Sequence, residues 1–322
     1  MTLQECAAKA AAIQGNIGRV IIGREDVIRH ILATMLAGGH VLIEDVPGTG
    51  KTMLARSLSR SVDAAFSRVQ FTPDLMPADV TGLTYYHQKD QEFRFREGPV
   101  FAQIVLADEI NRATPRTQSA LLECMEEHQV TVDGVTHPLP GLFFVIATEN
   151  PIETAGTFPL PEAQLDRFLM KLSVGTPDVA EEVAILNRFL TDSPLETLSP
   201  VCTADDITQM QAAVKTVFVH PSLLQYLAEL AAATRSAHGV RSGASPRGTL
   251  ALMRASQALA MISGRDYVVP EDIKELAVPV LAHRLILSHF DRTDTAEALI
   301  RQIIDSVPVP TEEALFRRNV TA

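Results

Sequence analysis

An α/β sheet domain followed by an all-helical region is the fold class this sequence predicts. Three observations carry it. The stretch DVPGTGKT, Asp45–Thr52, stands between an apolar run, Val41-Leu42-Ile43, and a helix-like run from Thr52 to Ser61. A second apolar run, Ile104-Val105-Leu106-Ala107, ends in two acids, Asp108 and Glu109. Beyond Gly175-Thr176-Pro177-Asp178 each periodic segment reads as helix.

Two helices open the chain. Leu3 to about Val20 carries apolar residues near helical spacing and many alanines, and Asp26 to about Leu36 ends at Gly38-Gly39, as a C-cap glycine would end it. Ile21, Ile22 and Gly23, between them, are candidates for the wall of a base pocket or for plain packing of a helix turn. Strand, glycine-bearing turn and helix in Val41–Ser61 is the context a phosphate-binding loop needs. Gly48 and Gly50 allow a tight turn with N–H groups facing a polyphosphate. The following helix points its positive end at the same place. Lys51 would reach the terminal phosphates of a nucleotide such as ATP, and the Thr52 hydroxyl would sit on Mg2+. The binding stretch is Asp45, Val46, Pro47, Gly48, Thr49, Gly50, Lys51, Thr52 and Met53; Asp45 stands where the general pattern has glycine.

Phe66–Phe71 alternates as a strand, and Thr72-Pro73-Asp74 is a turn signal. Thr81–Tyr86 and Glu92–Arg96 read as short strands around His87-Gln88-Lys89-Asp90, an inserted hairpin whose alternating Phe93, Arg94, Phe95 and Arg96 form either a contact face or packing on its own domain. Ile104–Ala107 is a buried strand, and in an open α/β sheet its C-terminal end lies beside the phosphate loop. Asp108 would hold the hydrated metal and Glu109 would orient and polarise the attacking water. Arg112, just after them, is either a trans-acting arginine or a surface residue at a helix start.

Pro115 to about His128 is a helix, Val130–Thr136 a hairpin turning at Asp133-Gly134, and Leu142–Ala147 the next core strand. That strand ends at Thr148-Glu149-Asn150, which sets Asn150 on the same edge as Lys51, Asp108 and Glu109. Glu162–Phe168 begins a short helix and Phe168–Val174 completes the sheet. The domain boundary falls at Gly175–Asp178, dividing residues 1–176 from 177–322. Helices follow over about Val179–Leu190, Ala204–Thr216, Pro221–His238, Pro246–Ile262 and Pro270–Ser288. Arg247 sits in a helix first turn, where positive charge opposes the dipole; it is either functional or a solvated surface arginine.

Composition narrows the class. The 322 residues are 46% hydrophobic and 21% charged, which suits one large or two ordinary domains with real cores. The net charge of −11 argues against a surface that coats nucleic acid. No apolar run approaches the roughly 20 residues needed for a membrane span, and no signal peptide is apparent. Cys6, Cys124 and Cys202 lack metal or redox spacing and read as free thiols of a reducing cytoplasm.

The ordered set DVPGTGKT, FTPDLMPADVTG, GPVFAQIVLADEINRA, ALLECMEEHQVTVDG, VIATENP and LPEAQLDRF, trailed by GASPRGTLAL, resembles the MoxR family of AAA+ ATPases from about Ile21 to about Leu285. The resemblance implies a five-stranded parallel αβα sheet with a helical lid, and two hairpin-type insertions. That family commonly carries a non-glycine where Asp45 stands. Asn150 matches sensor 1; Arg247 matches sensor 2, reaching the γ-phosphate from the lid. Arg167 matches the arginine finger that acts on the ATP of a neighbouring subunit. Proteins similar to this one form hexameric rings and remodel protein clients, often with a von Willebrand factor A domain protein as adaptor. The expected activity is magnesium-dependent ATP hydrolysis. A nucleotide-gated binding module is the alternative from a different class, and a DNA-remodelling motor is a third that the acidic balance disfavours.

Overall fold

The computed structural model describes residues 1–151, 156–190, 194–288 and 295–310. α1 (Leu3–Gly18) opens on a capping box: the Thr2 hydroxyl accepts from the Glu5 N–H at 3.2 Å, and Glu5 accepts from the Thr2 N–H at 2.8 Å. Its buried residues Cys6, Ala10, Ile13 and Ile17 recur at helical spacing. α2 (Glu25–Leu36) stops where Gly38 takes a φ of +73°, a left-handed turn that costs glycine nothing.

The sheet domain then runs β1 (Val41–Glu44), α3 (Lys51–Ser61), β2 (Phe66–Gln70), α4 (Pro77–Thr81), β3 (Gly82–His87), β4 (Glu92–Glu97) and β5 (Ile104–Asp108). It continues with α5 (Pro115–Glu127), β6 (Gln129–Val132), β7 (Val135–Pro138), β8 (Phe144–Glu149), α6 (Glu162–Leu165) and β9 (Met170–Leu172). Five strands form one parallel sheet in the order β2-β5-β8-β1-β9. Both faces are covered, which is why its inner strands read as unbroken apolar runs. Ile43, Leu106 and Ile146 face the side covered by α1, α2 and α3. Leu42, Val105 and Val145 face the side covered by α5, with its Leu121, Leu122 and Met125. The two hairpins, β3–β4 and β6–β7, stand apart from the sheet, and Phe95 of one stacks on His137 of the other with ring centroids 4.0 Å apart.

Parallel strands bring all their carboxyl ends to one edge. Register sharpens this: Gln70 lies opposite Asp108, and Glu44 opposite Glu149.

The remaining elements are α7 (Val179–Arg188), α8 (Ala204–Val214), α9 (Pro221–Ser236), β10 (Val240–Ser242), α10 (Pro246–Ile262), α11 (Pro270–Leu281), β11 (Ile286–Leu287) and α12 (Ala296–Ser306). Two details differ from the sequence expectation. The helix from Pro270 stops at Leu281 rather than near Ser288, because the chain turns there to seat Arg284 in a buried polar nest. Beyond that turn β11 pairs antiparallel with β10, a short ribbon among the helices of the described residues. α1 and α2 pack on α8 and α10 as well as on the sheet domain, and one apolar cluster runs through all of them.

Candidate active site

The sheet edge holds a cavity of about 370 Å³ whose lining includes Gly48, Gly50, Lys51, Thr52, Arg68, Gln70, Asp108, Glu109 and Asn150. Pro47 and Met53 complete its loop side. Gly48 and Gly50 have φ of +90° and +86°, a region an L side chain rarely enters, so the loop needs glycine at both places. The Lys51 ammonium donates to the Asp45 carbonyl at 2.8 Å. Burial lowers its pKa, and Asp45, Asp108 and Glu109 pull it back up.

A second cavity, of about 220 Å³, shares Gly48, Gly50 and Met53 with the first. Val20, Ile21, Ile22, Ile185 and Phe189 make it largely apolar, with Arg24 and Thr49 also in its lining. A polar slot with a basic floor joined to an apolar slot has the form of a nucleotide, phosphates in one and base in the other. Ile22 lines this slot. Gly23 does not line this slot; its φ is +67°, and a Cβ there would meet the Glu181 side chain. Glu181 is held by Arg24 at 3.0 Å, which ties α7 to the turn before α2. Val46 contributes a carbonyl to the Thr49 hydroxyl at 3.4 Å.

Asp45 turns away from the cavity. Its carboxylate is buried and accepts from the backbone N–H groups of Val174 and Gly175, the latter at 3.1 Å, and from the Ser173 hydroxyl at 3.3 Å. An acid in place of the usual glycine therefore fastens the phosphate loop to the end of β9.

The two acids are already engaged. Asp108 accepts from Arg68 at 2.7 Å and from the Thr148 hydroxyl at 2.7 Å. Glu109 accepts from Gln70 at 2.8 Å and from Arg112 at 3.0 Å. The Glu109 backbone takes the left-handed φ of 56°, and its N–H donates to the Thr148 hydroxyl at 2.8 Å. Strain of this kind at a sheet edge aims a side chain that a relaxed strand end would not. Beside Asn150, burial pushes the Glu149 carboxyl up to about 7; Lys171, itself paired to Glu44 at 2.8 Å, opposes the rise and Glu44 adds to it.

Arg68, Gln70 and Thr148 escaped the sequence reading. The signal was present: Arg68 and Gln70 are polar alternates near the end of a strand in an open sheet, but only register sets them against Asp108 and Glu109.

The two remaining arginines are not in the cavity. Arg167 and Arg247 meet on Glu126 of α5, at 3.2 Å and 2.7 Å. Arg247's hydrogen bond holds the Glu126 carboxyl below its usual range. The loop bearing Arg167 is anchored by Arg284, whose buried guanidinium donates to the Asp166 carboxylate at 2.7 Å and to the Phe168 carbonyl at 2.7 Å. The α10 turn bearing Arg247 packs on the same side chain, since a Cβ at Gly248 would lie 3.0 Å from the Arg284 Cδ. A half-buried cation, Arg167, and an exposed one, Arg247, are thus presented together by one buried cation.

Residues 40–170 match the family model described as ATPase family associated with various cellular activities (AAA). Residues 232–303 match the AAA lid domain. Chaperone MoxR1 of Mycobacterium tuberculosis is 41% identical over 93% of this chain and 82% of its own length. The chain belongs to the MoxR family of AAA+ ATPases. Protein MoxR of Paracoccus denitrificans is a more distant relative, 34% identical over 93% of this chain and 95% of its own. YeaC of Bacillus subtilis, uncharacterized, is 50% identical over 94% and 95%. A crystal structure of a candidate ATPase from Cytophaga hutchinsonii superposes with a TM-score of 0.89 at 36% identity, covering 96% of this chain and 97% of that one. The family implies nucleotide binding, and the joined cavities are the candidate site for it. No helix among the described residues is long and apolar enough to cross a membrane.

Proposed function

We propose that this chain is a magnesium-dependent ATP hydrolase that works as a homo-oligomeric ring, of six subunits by the family's habit, and remodels a protein client. One observation carries the reading: Lys51, Asp108, Glu109 and Asn150 line one cavity, while Arg167 and Arg247 stand outside it as a pair. The first group can bind ATP and activate water. The second is suited to completing the charge clamp on a neighbour's nucleotide.

The donors suit the cofactor. Thr52 and Asp108 are hard oxygen ligands of the kind Mg2+ takes while keeping most of its waters. When bound, the ion would neutralise charge on the β- and γ-phosphate oxygens. Lys51 and the loop N–H groups would hold the same oxygens. Glu109 would accept a proton as the water oxygen bonds to the γ-phosphorus and the bond to the ADP oxygen breaks. Asn150 would orient that water. The neighbour's Arg167 and Arg247 would stabilise the charge that develops.

In the resting geometry Arg68 is the counter-ion of the metal-binding acid, so metal and arginine compete for Asp108. Arg68→Ala should lower the Mg2+ concentration for half-maximal binding of a fluorescent ATP analogue by roughly two- to fivefold, the weight of a half-exposed ion pair. A rise instead would place Arg68 on the phosphates.

The lid, which we assign to 177–322, would move against the core as nucleotide turns over. A protein client is supported by the chaperone name of the Mycobacterium relative. A von Willebrand factor A domain protein is the adaptor we expect, and the free thiols suit the cytoplasm. The test is ATPase activity per molecule against protein concentration with magnesium present. A steep rise is the expected result. A chain that hydrolyses equally well as a proven monomer would remove the ring from the mechanism. Gated binding with incidental turnover is the second reading, favoured by the pairing of Glu109 to Gln70 and Arg112, which withholds the base at rest.

A further inference from the structure

α7 is an amphipathic helix with no buried residue. Val179, Val183 and Leu186 follow one another at helical spacing, Leu190 lies just past the helix end, and the four are 79%, 51%, 69% and 76% exposed. That stripe amounts to a contiguous apolar patch on the order of 400 Å², in the range of the largest patch on an ordinary monomer, which is often functional. The first turn is acidic, with Asp178 as cap followed by Glu181 and Glu182. The adjoining flank, through Ile185 and Phe189, walls the apolar slot of the nucleotide site.

A groove of about 370 Å³ lies elsewhere on the chain, between the C-terminal end of α2, α8 and α10. Val214, Leu250 and Met253 supply apolar surface and Lys215 and Arg254 supply positive charge. Arg247, Leu250 and Arg254 stand at i, i+3 and i+7, so the groove continues the face of α10 that carries Arg247.

We propose that the apolar stripe of α7 docks into this α10 groove on the next copy of the chain. The inference rests on the ring reading above and specifies its contact. If Arg247 of one copy reaches phosphates held by another, the α10 face behind it must lie against the edge of that nucleotide site, where α7 is. Apolar surface then meets apolar surface, and Glu182, beside the Asp178 cap and the Arg24-bound Glu181, is placed to meet Lys215 and Arg254. The stripe is about half of the roughly 800 Å² each partner gives to a standard interface. The arginine pair and its surroundings fall in the remainder. Because Ile185 and Phe189 touch the base slot, nucleotide binding and assembly share one helix.

Proximity cross-linking tests this, since Cys6, Cys124 and Cys202 are all buried and leave the surface free of native thiols. Full-length Leu186→Cys and Leu250→Cys chains are mixed with a non-hydrolysable ATP analogue and a short bis-maleimide. The expected result is a cross-linked dimer in the mixture and none with either variant alone. Leu186→Glu, at an exposed position, should raise the concentration for half-maximal specific activity roughly tenfold or more, with analogue affinity of the dilute chain unchanged. Light scattering separates the failures. Oligomers that give no cross-link in the mixture overturn the docking and leave the ring standing. The same holds if the thiol introduced by Leu186→Cys reacts freely with maleimide in the oligomer, which would leave the stripe to another partner. Cross-linking of Leu186→Cys to itself means symmetric pairing and also overturns it. A monomer at every concentration overturns both readings.

Discussion

Glu109→Gln is expected to bind ATP as the parent chain does and to hydrolyse it roughly 10² to 10⁴ times more slowly, the weight of a positioned general base. The substitution is nearly isosteric. The strained backbone at φ 56° is held by the Thr148 hydroxyl on the Glu109 N–H, a contact independent of the side chain. The amide oxygen can still accept from Gln70, so the resting geometry survives. What is lost is the ability to take a proton and the charge that pairs with Arg112. Single-turnover hydrolysis beside analogue binding separates the two. Unchanged turnover would remove Glu109 as base. In a client assay, full support by the ATP-locked variant would favour gated binding over remodelling by hydrolysis.

Arg167→Ala should cost about 10³-fold or more in the plateau of specific activity, with nucleotide affinity intact, as arginine fingers do in phosphoryl transfer. Structural damage is a small part of that, because Arg167 is a partly exposed partner of Glu126, and Arg247 keeps the same carboxylate engaged. Arg284 is different. It is buried on Asp166 and backbone carbonyls, and its loss would unseat the loop at a cost of about 3–5 kcal/mol. Complementation distinguishes action across a boundary. The Glu109→Gln chain has an intact Arg167, and the Arg167→Ala chain has an intact Glu109. Mixed, they should regain activity that neither shows alone. If the mixture stays inactive while the two chains co-assemble, Arg167 acts within its own subunit or not at all.

Where local chemistry decides structure, the sequence was legible. The phosphate loop needs positive φ at Gly48 and Gly50, and the residues there say so. Pro221, Pro246 and Pro270 open α9, α10 and α11 because proline's fixed φ and missing N–H suit a helix first turn. Val130–Thr136 turns at Asp133-Gly134 because both residues take φ above zero. The pairing of Asp108 with Glu109 at a strand end needed only an apolar run and two acids.

Tertiary structure decided what joins residues far apart. The order β2-β5-β8-β1-β9 comes from packing helices on both faces, and no single strand encodes its neighbours. That order, with the β2–β5 register, sets Arg68 on Asp108 and Gln70 on Glu109. It was packing, too, that gathered Arg167 and Arg247 on Glu126, away from the cavity of their own chain. The stripe on α7 reads in sequence like any helix core, and only the fold leaves it facing water. Turns, caps and periodicities are written in neighbouring residues because their energies act within a few peptide units. Pairings across the sheet edge are settled by burial of the whole core, to which every segment contributes at once.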